Sequence, residues 1–271
     1  MSDEGQIAAA LKRAIDEESL SLAYQPKIEL GSGRVVGVEA LARWRDEELG
    51  DVPPSDFIPL AERGGMIDAL TQSVCRRAVT QLAAWRGQGF SLSIAINVSA
   101  LTLRDVGLPD SIERLCRLQD IPCEEVTVEL TETAAQHDVH LLDTLTRFRI
   151  KGFCVALDDF GTGYSSLLQL RQLPFTELKI DRSFIHDVAT AEDSRLIVKS
   201  VVDLSHALGL IAVAEGVEDE ETLRVLVGLG CDQVQGFFIA RPMPAKEVTH
   251  WLRESDRPWQ RFCRSESSAA A

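Results

Sequence analysis

No stretch of this 271-residue chain stays apolar for the roughly eighteen residues that a membrane-crossing helix needs. No transmembrane helix is therefore expected. The first twenty residues are charged and helical in pattern, unlike a signal peptide. Six cysteines (Cys75, Cys116, Cys123, Cys154, Cys231, Cys263) are scattered without a CxxC pair. They read as reduced, mostly packed thiols of a cytoplasmic protein. Five histidines make no metal pattern; His137 and His140, three apart, fit a helix surface. Basic residues are scarce, 28 Lys and Arg against 42 Asp and Glu, for a net charge of −14. Nucleic-acid duplexes and anionic membranes are met by basic patches, so neither is expected as the main partner. A small anionic substrate held through metal remains compatible with that charge. No linker or internal repeat divides the sequence, and residues 1–254 read as one domain. The last residues, 255–271, end in SESSAAA without apolar periodicity and read as a loose tail.

What is present is alternation. Residues 5–19 predict a leading helix. Residues 22–30 and 34–43 predict a hairpin about the GSG at 31–33. A short helix follows the prolines at 53–54, and Ile67, Leu70, Val74, Ala78, Leu82 and Trp85 mark a helix over 66–86. Strands are then expected at 92–98, 126–130, 153–158, 176–181, 210–215 and 232–238. Helices are expected at 138–149, 164–172, 191–208, 218–228 and 244–253. Strands alternating with helices at this interval imply a mostly parallel sheet. Seven or eight such units in about 250 residues suit an α/β fold of the (β/α)8 TIM-like barrel type. The opening hairpin adds one antiparallel strand and makes that barrel irregular. A doubly wound sheet is the rival, but no glycine fingerprint follows the first strand.

The stretch LDDFGTGYSS at 157–166 dominates the functional reading. Two adjacent carboxylates, Asp158 and Asp159, close an apolar run and open a glycine-rich polar loop. Such residues also serve as helix cap and turn. Side chains alternate across a strand, and that alternation sets Asn97, Glu129, Asp158, Lys179 and Gln235 on the small, polar face. That face should line the barrel axis, with these residues at strand ends where barrels keep their active sites. Glu215 is out of phase, sharing parity with Ile211 and Val213. Clustered carboxylates repel and desolvate one another, and bound cations resolve this. Oxygen-only donors (Glu39, Asn97, Glu129 and Asp158 about one ion, Asp158 and Asp159 on another) suit Mg²⁺ or Mn²⁺ over Zn²⁺.

At these residues the chain resembles the EAL-domain family, the cyclic-di-GMP phosphodiesterases of bacterial signalling. The motifs are YQPKIEL (24–30), VEALARW (38–44), INVS (96–99), VELTET (128–133), LDDFGTGYSSL (157–167), LKIDRSFI (178–185), VAEGVE (213–218) and QGFFIARPMP (235–244). The resemblance implies two cations, Mg²⁺ or Mn²⁺, held by Glu39, Asn97, Glu129, Asp158 and Asp159, with Asp158 bridging. It implies catalytic parts for Glu39, for Lys179 on the attacking water and for Glu215 beside the second ion. It implies substrate contacts from Gln25, Leu41, Arg43 and Gln235. It implies that Glu132 anchors the loop 160–166, and that the protein is a cytoplasmic homodimer hydrolysing cyclic-di-GMP to linear pGpG. Read alone, Lys179 also fits an ion-pair partner, though the water-orienting role is favoured, and Arg43 fits a surface residue. Departures are small: Thr133 where Ser is common, and Phe237 where Tyr is common. No diguanylate-cyclase motif accompanies these residues.

Overall fold

The computed structural model describes residues 3–132, 141–161, 167–254 and 257–263. Eight strands close a barrel: β1 (Ser21–Glu29), β2 (Val35–Asp46), β4 (Ser93–Asn97), β5 (Val126–Thr131), β6 (Cys154–Phe160), β7 (Glu177–Ile180), β8 (Ile211–Ala214) and β9 (Gln233–Gln235). The hydrogen-bonded order is β1-β9-β8-β7-β6-β5-β4-β2, and β1 also pairs with β2, which completes the ring. Strand β1 runs antiparallel to both its neighbours, while the other barrel pairs are parallel. A short β3 (Gly50–Val52) extends β2 beyond the ring. The expected irregular barrel with one antiparallel strand is the fold observed.

Helices pack outside: α1 (Asp3–Asp16), α2 (Pro54–Arg63), α3 (Ile67–Arg86), α4 (Leu108–Leu118), α5 (Leu141–Ile150), α6 (Leu167–Gln172), α7 (Arg182–Ile185), α8 (Glu192–Ala207), α9 (Glu220–Leu229) and α10 (Ala245–Arg253). Helix α3 buries Ile67, Leu70, Val74, Ala78, Leu82 and Trp85, the residues whose spacing predicted it. Helix α9 starts where the Asp219 side chain accepts from the Thr222 N–H, and ends at Gly230 with φ +82°. The main core lies between these helices and the outward strand residues, such as Ile94, Val128, Val155, Leu178 and Val234. None of the described helices is long and apolar enough to cross a membrane.

Several elements differ from expectation. Helix α4 was not foreseen, although Leu108, Ile112 and Cys116 form a buried stripe and Pro109 sits in its first turn, where proline is tolerated. Strand β9 is three residues rather than seven. There Gly236 ends the pairing: a Cβ would lie 2.1 Å from the Val217 carbonyl oxygen. Within the segment expected to be loose, residues 257–263 pack on the barrel. Trp259 is buried, donates its indole N–H to the Gly33 carbonyl at 3.1 Å and stacks on Trp251. Arg257 lies over the Trp251 ring at 3.7 Å. One aromatic anchored by one hydrogen bond orders a segment that has no periodicity to reveal it. His137 and His140, and residues 162–166 of the glycine-rich loop, lie outside the described residues.

Candidate active site

Strand register decides which side chains meet inside the barrel. Neighbouring pairs in register point to the same side. Gln25 stands opposite Glu39, Asn97 beside Glu129, and Lys179 beside Val213. Val213 therefore faces the barrel interior, and so does Glu215, two residues on. The parity conflict at Glu215 disappears because Ile211 and Val213 are apolar residues on the inner face. Apolar character had wrongly assigned them to the helix side.

Lys179 is the centre of the upper interior. Its Nζ lies 2.6 Å from Glu215, 2.8 Å from Glu129, 3.2 Å from Asp158 and 3.7 Å from Glu39. Glu39 is held on both oxygens: Asn97 Nδ2 donates at 2.7 Å and Gln235 Nε2 at 2.7 Å. Gln235 Nε2 also donates to Gln25 Oε1 at 3.0 Å, and Gln25 in turn donates to the Ala240 carbonyl. The predicted Gln25, Glu39, Asn97, Glu129, Asp158, Lys179, Glu215 and Gln235 thus form one connected network. Beside it opens a cavity of about 650 Å³, lined by Leu41, Arg43, Asn97, Ser99, Glu129 and Thr131 among others. The mouth accordingly joins a carboxylate cluster to a groove large enough for a small-molecule ligand.

Asp159 enters the site by a break in the pleat. Between Leu157 and Phe160 the β6–β7 register shifts, and Asp159 has φ +55°. Left-handed backbone at a non-glycine residue is uncommon and clusters at functional sites. The bulge lets consecutive carboxylates reach the same mouth. Asp158, Asp159 and Glu215 each present an oxygen within 4.8 Å of the others, a geometry that could hold a metal ion. Glu39 and Glu129 join Asp158 through Lys179. The donors are all oxygens, as Mg²⁺, Mn²⁺ or Ca²⁺ prefer. Behind them, buried Glu132 accepts the Gly161 N–H on Oε2 at 2.9 Å, and its own N–H donates to the Asp158 carbonyl at 3.0 Å.

Charge balance favours cations here. Burial pushes the Glu129 carboxyl well up, and the neighbouring Glu39 and Asp158 add to this against Lys179. Glu215 is pushed up to about 8, by burial first, with Asp158 and Glu39 adding. Burial also raises Asp159, helped by Asp158 and Asp181. Lys179 resists its own burial and rises well above its ordinary value, because Glu129, Glu215, Glu39 and Asp158 surround it. Glu39 falls below the carboxylate range, since Lys179, Gln235 and Asn97 outweigh its burial. One ammonium cannot neutralise this many carboxylates, so without added cations some of them hold protons.

A pH dependence follows. Glu215 titrates near 8 when folded and near 4.3 when unfolded. A raised carboxyl contributes stability below its unfolded value and loses it as pH climbs through its folded value. The metal-free protein should therefore melt at progressively lower temperature from pH 6 to pH 9. Millimolar Mg²⁺ should flatten that slope. Differential scanning fluorimetry across pH, with and without Mg²⁺, checks this; parallel slopes would contradict it.

A lower interior layer of Lys27, Thr127 and Glu177 lies beneath these residues. Their parity with Gln25, Glu129 and Lys179 was available, but their distance from the strand ends hid them.

The EAL domain model matches residues 8–242. The chain belongs to the EAL family. This EAL domain is 41% identical over 249 residues to a cyclic di-GMP phosphodiesterase of Pseudomonas aeruginosa, covering 91% of this chain and 42% of that protein. It is 40% identical to the oxygen sensor protein DosP of Escherichia coli, covering 91% of this chain and 31% of DosP. The chain thus spans less than half the length of these curated relatives. Among solved structures, the PaMucR phosphodiesterase in complex with c-di-GMP superposes with a TM-score of 0.84 at 40% identity, covering 90% of this chain and 99% of that one. The EAL domain of Mycobacterium smegmatis DcpA matches with a TM-score of 0.74 at 33% identity, covering 88% and 97%.

Proposed function

We propose that this EAL domain hydrolyses cyclic-di-GMP to linear pGpG with two divalent cations, Mg²⁺ or Mn²⁺. The observation that carries the reading is the oxygen-only cluster at the barrel mouth, with its excess of carboxylates over the single Lys179. Its kinship with a cyclic di-GMP phosphodiesterase and with a c-di-GMP complex supports cyclic-di-GMP as the substrate.

In this reading Glu39, Asn97, Glu129 and Asp158 would hold one ion, and Asp158, Asp159 and Glu215 would hold the other. When bound, the ions neutralise the phosphodiester and lower the pKa of a water near them. Lys179 then orients that water and offsets charge gathering at the phosphorus. Arg43, half-buried beside the groove, takes a non-bridging phosphate oxygen with its fork of donors. Leu41 contributes apolar wall, and Gln25 and Gln235 fix Glu39 while meeting substrate. Water oxygen bonds to phosphorus, and the bond from phosphorus to the ribose 3′ oxygen breaks. The leaving oxygen gains a proton, and a 5′-phosphate remains on the other nucleotide. Glu132 steadies Gly161, and with it the backbone that carries Asp158 and Asp159.

Chromatography of products after incubation with cyclic-di-GMP, comparing Mg²⁺, Mn²⁺ and Ca²⁺, tests the proposal. Metal-dependent pGpG is expected; tight nucleotide binding with no turnover in Mg²⁺ or Mn²⁺ overturns it. A homodimer belongs to the same reading and is checked by sedimentation at assay concentrations; a purely monomeric active species would remove it. A cytoplasmic location is supported by six free thiols, Cys154 and Cys263 only partly buried among them.

A further inference from the structure

Below the carboxylate cluster lies a second polar layer that the hydrolytic chemistry does not use. Lys27 Nζ sits 2.7 Å from Glu177 Oε2, with side chains 4% and 7% exposed. The other oxygen, Glu177 Oε1, accepts from the buried Thr127 hydroxyl at 3.2 Å. Both carboxylate oxygens are thus engaged.

The contact joins strands that are not neighbours. Strands β8 and β9 separate β1, which carries Lys27, from β7, which carries Glu177. Strand β6 separates β7 from β5, which carries Thr127. In register with Glu177, β6 presents only the small Ala156, which leaves space for Glu177 to reach Thr127. Lys27 crosses the interior from the far wall.

Each member lies two residues from a member of the upper cluster. Thr127 precedes Glu129, Glu177 precedes Lys179, and Lys27 follows Gln25. Residues two apart on a strand share a face, so fixing the lower side chain fixes the strand segment beneath the upper one. Lys27 also pairs in register with Gln235. Stability gives no sufficient account of the arrangement, because apolar residues often replace a buried ion pair at no loss.

We propose that Lys27, Glu177 and Thr127 form a cross-barrel strut that positions Glu129 and Lys179 for cation binding. They are positioning residues, remote from any reacting atom. The link to turnover rests on the phosphodiesterase reading; the link to cation binding does not.

The test measures Mn²⁺ affinity of the full chain by electron paramagnetic resonance without nucleotide, beside melting temperature and cyclic-di-GMP kinetics. K27M leaves Glu177 buried without its partner and should melt lower. The double variant K27M/E177M removes both charges and should recover most of that melting temperature. Its Mn²⁺ affinity should nevertheless stay about 10–100-fold weaker than the parent's, the usual effect of losing support behind metal ligands. Its kcat should fall with KM unchanged. T127V keeps the ion pair and its volume, and should weaken Mn²⁺ at least several-fold. A folded double variant with parental Mn²⁺ affinity and kcat overturns the proposal. If the double variant does not fold, parental Mn²⁺ affinity in T127V overturns it instead. A parent that binds Mn²⁺ but releases no pGpG would sink the hydrolytic reading, while the strut would still be judged on Mn²⁺ affinity.

Discussion

Lys179→Met should lose several kcal/mol of its metal-free stability as well as most of its activity. Lys179 Nζ touches Glu215, Glu129, Asp158 and Glu39, and among the described residues no other ammonium or guanidinium pairs with them. Breaking a buried ion pair from one side costs about 3–5 kcal/mol, because the partner charge is left buried alone. Methionine keeps the length and volume, so packing is not the cause. The loss should shrink at low pH, where the carboxyls take up protons. It should also shrink with Mg²⁺, which supplies the missing positive charge. Melting temperature of K179M should therefore rise more steeply with Mg²⁺ than the parent's. Turnover should drop about 10²–10³-fold even with Mg²⁺ saturating, as for loss of one preorganised group at developing charge. A variant that melts like the parent without metal would show that Lys179 does not neutralise the cluster.

Glu39→Ala should show the opposite division: activity gone, fold kept. Glu39 stays ionised in the network and gives both oxygens to Asn97 and Gln235. Its removal takes one carboxylate from a cluster that already has too many, so repulsion falls. Against that, the Gln235 amide loses an acceptor, worth about 1–3 kcal/mol when buried, though its bond to Gln25 remains. Asn97 is exposed and can turn to water. The two effects largely offset, and the melting temperature without metal should move by only a few degrees. Release of pGpG should fall at least about 10²–10³-fold. Parental turnover in E39A would remove Glu39 from the cation site.

The contrast between these two variants separates what the sequence told from what it could not. Period-two alternation gave the strands and the inward set of Asn97, Glu129, Asp158, Lys179 and Gln235, because alternation is a local property. It misjudged Glu215 for a physical reason. A barrel interior is itself packed with side chains, so Val213 can face inward and carry Glu215 with it. The adjacent acidic pair named Asp159 as a cation ligand, but alternation alone points it away from Asp158, and its place at the mouth depends on a bulge and a left-handed φ. Nor did alternation reveal that Lys179 gathers four acids at once, since that convergence comes from strands β2, β5, β6 and β8 closing on one axis. The lower layer escaped for a related reason: Lys27 and Glu177 are 150 residues apart. Their partnership exists only once the ring has closed.

The irregular step between Leu157 and Phe160 has an evolutionary consequence. Removing a single residue there would restore plain alternation and turn one of the two aspartates toward the helices. Ring closure would survive, and most of the motif string would still be legible, yet the mouth would be short of one anionic donor. A one-codon deletion there should therefore weaken cation binding at the mouth while leaving the ring closed.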